Sequence, residues 1–392
     1  MIDSPANPAV PQAHSVREAL PAASGRRVLV TGGAGFIGSH LVFKLLQRGD
    51  QVIVIDNLST GRAVNLPAFH PRLTMIVADV STALLSHAAA LSDGLHEVYH
   101  LAAAVGVGLI VGKPIESIET NITQTAALLA ALSQLRNPPR VLVASSSEVY
   151  GKSTSLPFRE DDDVVYGPTT VARWSYAMSK AVDEHLALAY ASQRQLPVVV
   201  ARFFNTVGPG QVGDYGMVLP RLIAAALNGQ AVAVYGDGKQ TRCFCDVRDV
   251  SGILPVLLGH TPALGQIFNI GSEQSITISD LARAVLRITH SAGAIEYLPH
   301  AAVYGPGFED LAHRRPDTSR LRAAVSFSPQ WSLDQTIADT AAWIIAGKLS
   351  GVDWQQGNDA LPQMGAGADQ GSSNPVVQNF EGLATREREL PS

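Results

Sequence analysis

Cysteine, net charge and long apolar runs are all scarce in this sequence, and each scarcity closes off a class of protein. Of 392 residues only two are cysteine, Cys243 and Cys245. They stand two apart in an extended segment, where alternate residues face opposite sides, so neither a disulfide nor a shared metal is expected between them. Two thiolates are also too few for a structural zinc site, and the low count suits a reducing compartment such as the cytoplasm. The formal net charge is only -5, which offers no basic surface to nucleic acid or to an anionic membrane. The longest apolar run, 101–112, stops at Lys113, short of the ~20 residues that cross a bilayer. The start of the chain shows no basic segment followed by an apolar core, so it is not read as a secretory signal.

What is abundant is buried-type residue. Hydrophobic residues make up 46% and charged residues 16%, the balance of a well-packed soluble enzyme. Residues 1–25 read as a flexible leader, and 348–392, rich in Gly, Gln, Asn, Asp and Pro, as a disordered tail. Between them continuous apolar runs at 27–31, 51–55, 73–78, 97–101, 140–145 and 197–202 alternate with helical patterns, notably 35–47, 114–135 and 173–193. Such runs fit parallel strands covered on both faces. The alternation predicts an α/β fold, a Rossmann-type doubly wound parallel sheet, over 26–202, with 247–271 interleaved. A Gly/Pro-rich loop at 205–216 opens a smaller C-terminal substrate-binding lobe, 203–347.

Gly32, Gly35 and Gly38 join the first strand to the first helix. The first allows a tight turn, the second lets backbone amides approach a pyrophosphate, and the third lets helix pack close to strand. The helix N-terminus then offers unpaired amides and a partial positive charge. The second strand ends at Asp56, about 20 residues on, where this motif places its ribose-binding acid. These are the marks of a dinucleotide site.

Tyr176 and Lys180 stand four apart on one helical face. A neighbouring ammonium stabilises phenolate, which predicts a lowered Tyr176 pKa and a base working near neutral pH. On an arbitrary helix such a pair would be a surface pair; after the fifth strand of a dinucleotide fold it reads as chemistry. Ser145-Ser146-Ser147-Glu148-Val149-Tyr150-Gly151 follows that strand at its carboxyl end, where the crevice is expected. Its hydroxyls can bond a substrate hydroxyl, and Glu148 can act as a second acid/base group or position a ring. His100 and His185 are read as packing or surface residues, since no spacing supports a metal.

Together these segments resemble the extended short-chain dehydrogenases/reductases of the NAD-dependent nucleotide-sugar epimerase/dehydratase family. The resemblance rests on Thr31 to Gly38, Asp56-Asn57-Leu58-Ser59-Thr60-Gly61, His100-Leu101-Ala102-Ala103, Ser145 to Gly151, Tyr176/Lys180, Arg202 to Pro209, Tyr235-Gly236-Asp237-Gly238 and Arg242. It implies NAD held by Gly32, Gly35, Phe36, Ile37, Gly38, Asp56, Asn57, Asp79, Val80, Leu101, Ala102, Ala103, Tyr176 and Lys180. It further implies that Tyr176, with Lys180 and Ser146, deprotonates the sugar C4 hydroxyl during oxidation. Asn205, Arg221, Tyr235, Arg242 and Arg314 fall at its substrate-binding positions. A homodimer through helices 114–135 and 173–193 is a further implication.

The outcome after C4 oxidation turns on Ser147, Glu148 and Arg314. The family's 4,6-dehydratases carry Asp-Glu where this chain has Ser147-Glu148, and serine is a poor acid for expelling a C6 hydroxyl. UDP-glucuronate decarboxylases carry Ser-Glu and a late arginine, matched here by His313-Arg314-Arg315-Pro316 and by the preceding Tyr304-Gly305-Pro306-Gly307-Phe308-Glu309-Asp310. An arginine can grip a carboxylate in a bidentate pair. The leading expectation is a UDP-glucuronate decarboxylase-like lyase. A UDP-sugar 4-epimerase, an NDP-glucose 4,6-dehydratase and a non-catalytic NAD-binding regulator stand as alternatives.

Overall fold

The computed structural model describes residues 24–349, apart from 89–90, 92–93, 107–109, 111, 214–216 and 305–310. The leader and tail lie outside these residues except at 24–25 and 348–349. In the first half run β1 (Arg27–Thr31), α1 (Phe36–Gln47), β2 (Gln51–Asp56), β3 (Leu73–Val77), α2 (Val80–Ser86), β4 (Leu95–His100), α3 (Pro114–Ser133), β5 (Arg140–Ser146), α4 (Arg173–Arg194) and β6 (Val198–Phe203). There follow β7 (Thr206–Val207), α5 (Val218–Leu227), β8 (Val232–Tyr235), β9 (Thr241–Cys243), β10 (Cys245–Asp246), α6 (Val247–Gly259) and β11 (Ile267–Ile270). The last elements are β12 (Ser275–Thr277), α7 (Ile278–Ile288), β13 (Ile295–Leu298), α8 (His300–Tyr304), β14 (His313–Arg314), α9 (Ser319–Val325) and α10 (Leu333–Leu349).

Among the described residues seven strands form one parallel sheet in the order β11-β6-β5-β4-β1-β2-β3. This is the doubly wound Rossmann-type α/β sheet that the alternation predicts. The chain works outward from β1 to β3, then returns to lay β4 on the other side of β1. That reversal is the topological switch point, and the crevice opens at the carboxyl ends of β1 and β4. Successive strand residues feed opposite cores. Val28, Val30, Val52 and Val54 pack with Leu41 and Leu45 of α1 and Leu254 and Leu257 of α6. Leu29, Ile53 and Ile55 pack with Leu128 and Leu132 of α3 and Ala187 of α4. Each fully buried aliphatic side chain contributes roughly 1.5–3 kcal/mol. At the sheet edge β3 keeps this pattern weakly, and Val77 is 61% exposed.

A third core unites Leu222 and Ile223 of α5, Val232 and Val234 of β8, Leu281 of α7 and Ile337 of α10. Thr277 caps α7 reciprocally, accepting from the Asp280 amide and donating to its carboxylate. β9 pairs with β12 and β14 in a three-stranded sheet that the sequence pattern does not announce. Cys243 and Cys245 are buried free thiols in β9 and β10. No helix among the described residues is long and apolar enough to cross a membrane.

The turn between β1 and α1 is as tight as its glycines imply. Gly32 has φ +70°, and a Cβ there would stand 2.7 Å from the Ala102 amide nitrogen. A Cβ on Gly38 would stand 2.1 Å from the Gly32 carbonyl oxygen. Gly35 precedes α1 without any side-chain cap, which leaves the first-turn amides to an anion. Gly38→Ala should therefore lower stability by about 1–3 kcal/mol and weaken dinucleotide binding, read as a smaller thermal upshift on adding NAD than wild type shows. A variant melting and responding to NAD like wild type would contradict this packing.

Candidate active site

Strand ends bring the residues expected to hold the cofactor to the crevice. Asp56 closes β2, its carboxylate accepting the Ala34 amide at 2.9 Å and the Leu58 amide at 2.9 Å. Burial raises its pKa, and those two amides oppose the rise. Asn57 donates to Asp79 at 2.8 Å, and Asp79 precedes Val80 at the start of α2. Past β4, the Leu101 amide donates to the Thr31 carbonyl at 3.0 Å and the Ala102 amide to the Thr31 hydroxyl at 3.3 Å. That places Leu101 to Ala103 directly beside Gly32. A turn in which added Cβ atoms would clash, uncapped amides and a fixed acid at the next strand end fit a dinucleotide. His100 bridges Thr31 at 2.7 Å and Thr125 at 3.0 Å, and burial, with Lys180 adding, lowers its pKa to about 3. It is a neutral packing residue, as the sequence reading has it, while His185 is exposed.

Tyr176 and Lys180 both lie buried on the inner face of α4. The Ser146 hydroxyl, at the end of β5, hydrogen-bonds the Tyr176 phenol. The lowered tyrosine pKa anticipated from the sequence is not found. Burial raises it, Glu148 and Asp183 raise it further, and only the Ser146 hydrogen bond opposes. Burial is the main reason, and an acid three residues beyond the lysine adds to it. Lys180 gives its ammonium to Asp183 at 2.8 Å, both side chains being buried, so its charge is largely neutralised locally. The Lys-to-Asp i,i+3 spacing was the available signal.

Ser147 and Glu148 open a short 3₁₀ turn, Ser147–Tyr150, whose Glu148 amide donates to the Ser146 hydroxyl at 3.2 Å. Arg314 reaches them from β14, donating to Glu148 Oε1 at 2.9 Å and to the Ser147 hydroxyl at 3.4 Å. Arg173 lies 3.6 Å from Glu148 Oε2. Arg242, on β9, is the strand partner of Arg314. Burial alone would raise the Glu148 pKa, but Arg314, Arg173 and Arg242 outweigh it and bring it to about 2. Arg173 is a residue that the sequence reading missed. It sits three before Tyr176 on the same helical face, and it is a cation in the first turn of α4, where the helix dipole disfavours one.

The remaining residues expected to bind substrate form a second group. The Arg221 guanidinium stacks 4.1 Å from the Tyr235 ring centroid and donates to the Ala233 carbonyl at 2.9 Å. Asn205 is pinned to the backbone, donating to the Cys243 carbonyl at 3.1 Å. The segment 305–310 of the resemblance lies outside the described residues.

Because the folded pKa of Glu148 lies below its ordinary value of 4.5, its pairing stabilises the fold above that pH. This contribution disappears as pH falls through the folded value. Glu148→Gln should be less stable than wild type at pH 7, and urea unfolding should show that gap closing on acidification from about 4.5 towards 2. A gap independent of pH would contradict the ion pair.

The model of the NAD dependent epimerase/dehydratase family matches residues 28–271. UDP-N-acetyl-alpha-D-glucosaminuronate decarboxylase of Bacillus cytotoxicus is 41% identical over 326 residues, 81% of this chain and 97% of that one. UDP-glucuronic acid decarboxylase 1 of Arabidopsis thaliana is 36% identical over 320 residues, 80% of this chain and 69% of that one. Among solved structures, UDP-N-acetylglucosamine 4-epimerase from Methanobrevibacter ruminantium in complex with UDP-N-acetylmuramic acid is similar with a TM-score of 0.73 at 31% identity. The match covers 82% of this chain and 98% of that one. With its glycine turn, acid and crevice in place, the chain belongs to the NAD-dependent epimerase/dehydratase family, and its cofactor is NAD.

Proposed function

We propose that this enzyme decarboxylates a UDP-linked uronic acid by way of a C4-oxidised intermediate. One observation carries the reading. Among the described residues, three buried guanidinium groups, from Arg173, Arg242 and Arg314, act on the Glu148 carboxylate, and the Arg314 Nε is buried without a hydrogen-bond partner. The open Arg314 Nε suits a second carboxylate, one carried by the substrate, and decarboxylases are among the relatives.

NAD, when bound, supplies the hydride acceptor at C4 and later returns the hydride. Ser146 and Tyr176 hold the C4 hydroxyl, and the phenolate form of Tyr176 takes its proton; burial disfavours that form, so the phenol must first release its own proton to solvent. A ketone at C4 stands β to the carboxylate on C5. The bond from C5 to the carboxylate carbon can then break, carbon dioxide leaving and the electron pair spreading onto the C4 oxygen. Arg314 faces that charge, and a proton must then be delivered to C5. Glu148, ionised at neutral pH, cannot be the direct acid; it orients Arg314. Ser147 offers no acid for loss of a C6 hydroxyl, which disfavours dehydration.

We further propose that 203–347 binds the UDP-sugar, with Arg221 on the nucleotide diphosphate, and that two copies pair in the cytoplasm through α3 and α4. Exposed Ile115 on α3 and Met178 and Val182 on α4 support that pairing.

UDP-glucuronate and UDP-N-acetylglucosaminuronate should each be offered with product mass spectrometry and carbon dioxide detection. Carbon dioxide with a UDP-pentose or its N-acetylated counterpart is expected. Only a C4-inverted sugar would favour the 4-epimerase reading, to which the methanogen structure is similar. Tyr176→Phe should slow turnover by roughly 10²–10⁴-fold; unchanged turnover would remove the tyrosine from the chemistry.

A further inference from the structure

We infer that Asn269 is a positioning residue that sets Arg314 against Glu148, and so decides whether a C4-oxidised uronate loses carbon dioxide. The inference rests on the decarboxylase reading above and adds the residue that holds its two halves in register.

Arg314 and Glu148 come from segments far apart in the chain, and neither segment is long enough to fix itself. β14 has only two residues, and the turn bearing Glu148 only four. Phe158 links them. Its amide donates to the Arg315 carbonyl at 2.8 Å, and its carbonyl accepts the Asp317 amide at 2.8 Å. Its ring stacks on Tyr150, with centroids 4.6 Å apart and planes 14° from parallel. Asn269, fully buried in the edge strand β11, locks that link. Its side-chain nitrogen donates to the Phe158 carbonyl at 2.9 Å and to the Asp317 carbonyl at 3.1 Å. Its side-chain oxygen accepts the Tyr150 hydroxyl at 2.7 Å, and its backbone amide donates to Glu160 at 2.8 Å.

One primary amide thus joins the turn of Glu148, the segment following Arg314 and the strap between them. An amide is suited to this because it offers two donors and an acceptor on one short stem. An aspartate there would keep the acceptor for Tyr150 but turn an oxygen towards two carbonyls. Tyr176, Ser146 and Lys180, which serve C4 oxidation, sit on β5 and α4 and receive no hydrogen bond from Asn269. The consequence of loosening Asn269 falls on the Arg314–Glu148 geometry, hence on the carbon dioxide step.

The test uses full-length enzyme with NAD and UDP-glucuronate, comparing wild type with Asn269→Asp and Tyr150→Phe. Single-turnover absorbance reads C4 oxidation, and isotopically labelled carbon dioxide reads decarboxylation. For Asn269→Asp, carbon dioxide per C4 oxidised should fall about tenfold or more and a 4-keto uronate should accumulate, a split that mere loss of folded protein would not give. Tyr150→Phe, which removes one of the side-chain bonds, should show the same split more weakly, and it decides the matter if Asn269→Asp does not fold. Parallel loss of both signals, or an unchanged ratio in a folded variant, would overturn the role of Asn269 while leaving the decarboxylase reading intact. Wild-type enzyme that oxidises C4 without releasing carbon dioxide would overturn the decarboxylase reading itself.

Discussion

The Glu148 carboxylate is half-buried and stays ionised because Arg314, Arg173 and Arg242 lie close to it, and much of the site is arranged around that fact. A charge withdrawn from water is costly, and removing one partner of such a pair leaves an uncompensated ion, commonly a loss of about 3–5 kcal/mol. The pairing therefore holds together three parts of the chain that nothing local would bring into contact: the turn after β5, the first turn of α4, and β14. It also decides chemistry. A carboxylate pinned near pKa 2 stays ionised at neutral pH and acts as an anchor for the arginines, neither as an acid nor as an effective base.

The sheet places this cluster where a cofactor can reach it. Reversal of strand order at β1 and β4 opens the crevice at their carboxyl ends, and β5 delivers Ser146, Ser147 and Glu148 to the same side. The glycine turn sets the backbone close enough for a dinucleotide, and α4 lays Tyr176 against Ser146. Burial first, and then the nearby Glu148 and Asp183 carboxylates, keep the proton on the phenol.

Features governed by repeated local pattern were legible in the sequence. The six early strands declared themselves because burial on both faces demands unbroken apolar runs, with ends displaced by only a few residues. The dinucleotide turn was legible because each glycine answers a separate steric demand. The four-residue spacing of Tyr176 and Lys180 correctly put both on one face, yet the charge on that face was misjudged, because Asp183 entered no motif. Arg173 was missed for a similar reason: its partner Glu148 is distant in sequence. β14 and β9 were invisible as strands, since two or three residues carry no periodicity. Arg314 was found only through resemblance, and its approach to Ser147 and Glu148 became visible only in three dimensions.

The central claim is that this cluster serves removal of a substrate carboxylate after oxidation at C4. The most direct measurement is turnover of UDP-glucuronate in deuterium oxide, with the product examined by mass spectrometry and NMR. The account predicts a UDP-pentose that has lost carbon dioxide and carries one solvent deuteron on C5, the carbon that bore the carboxylate. A product that keeps its carboxylate, changed only in configuration at C4, would contradict it.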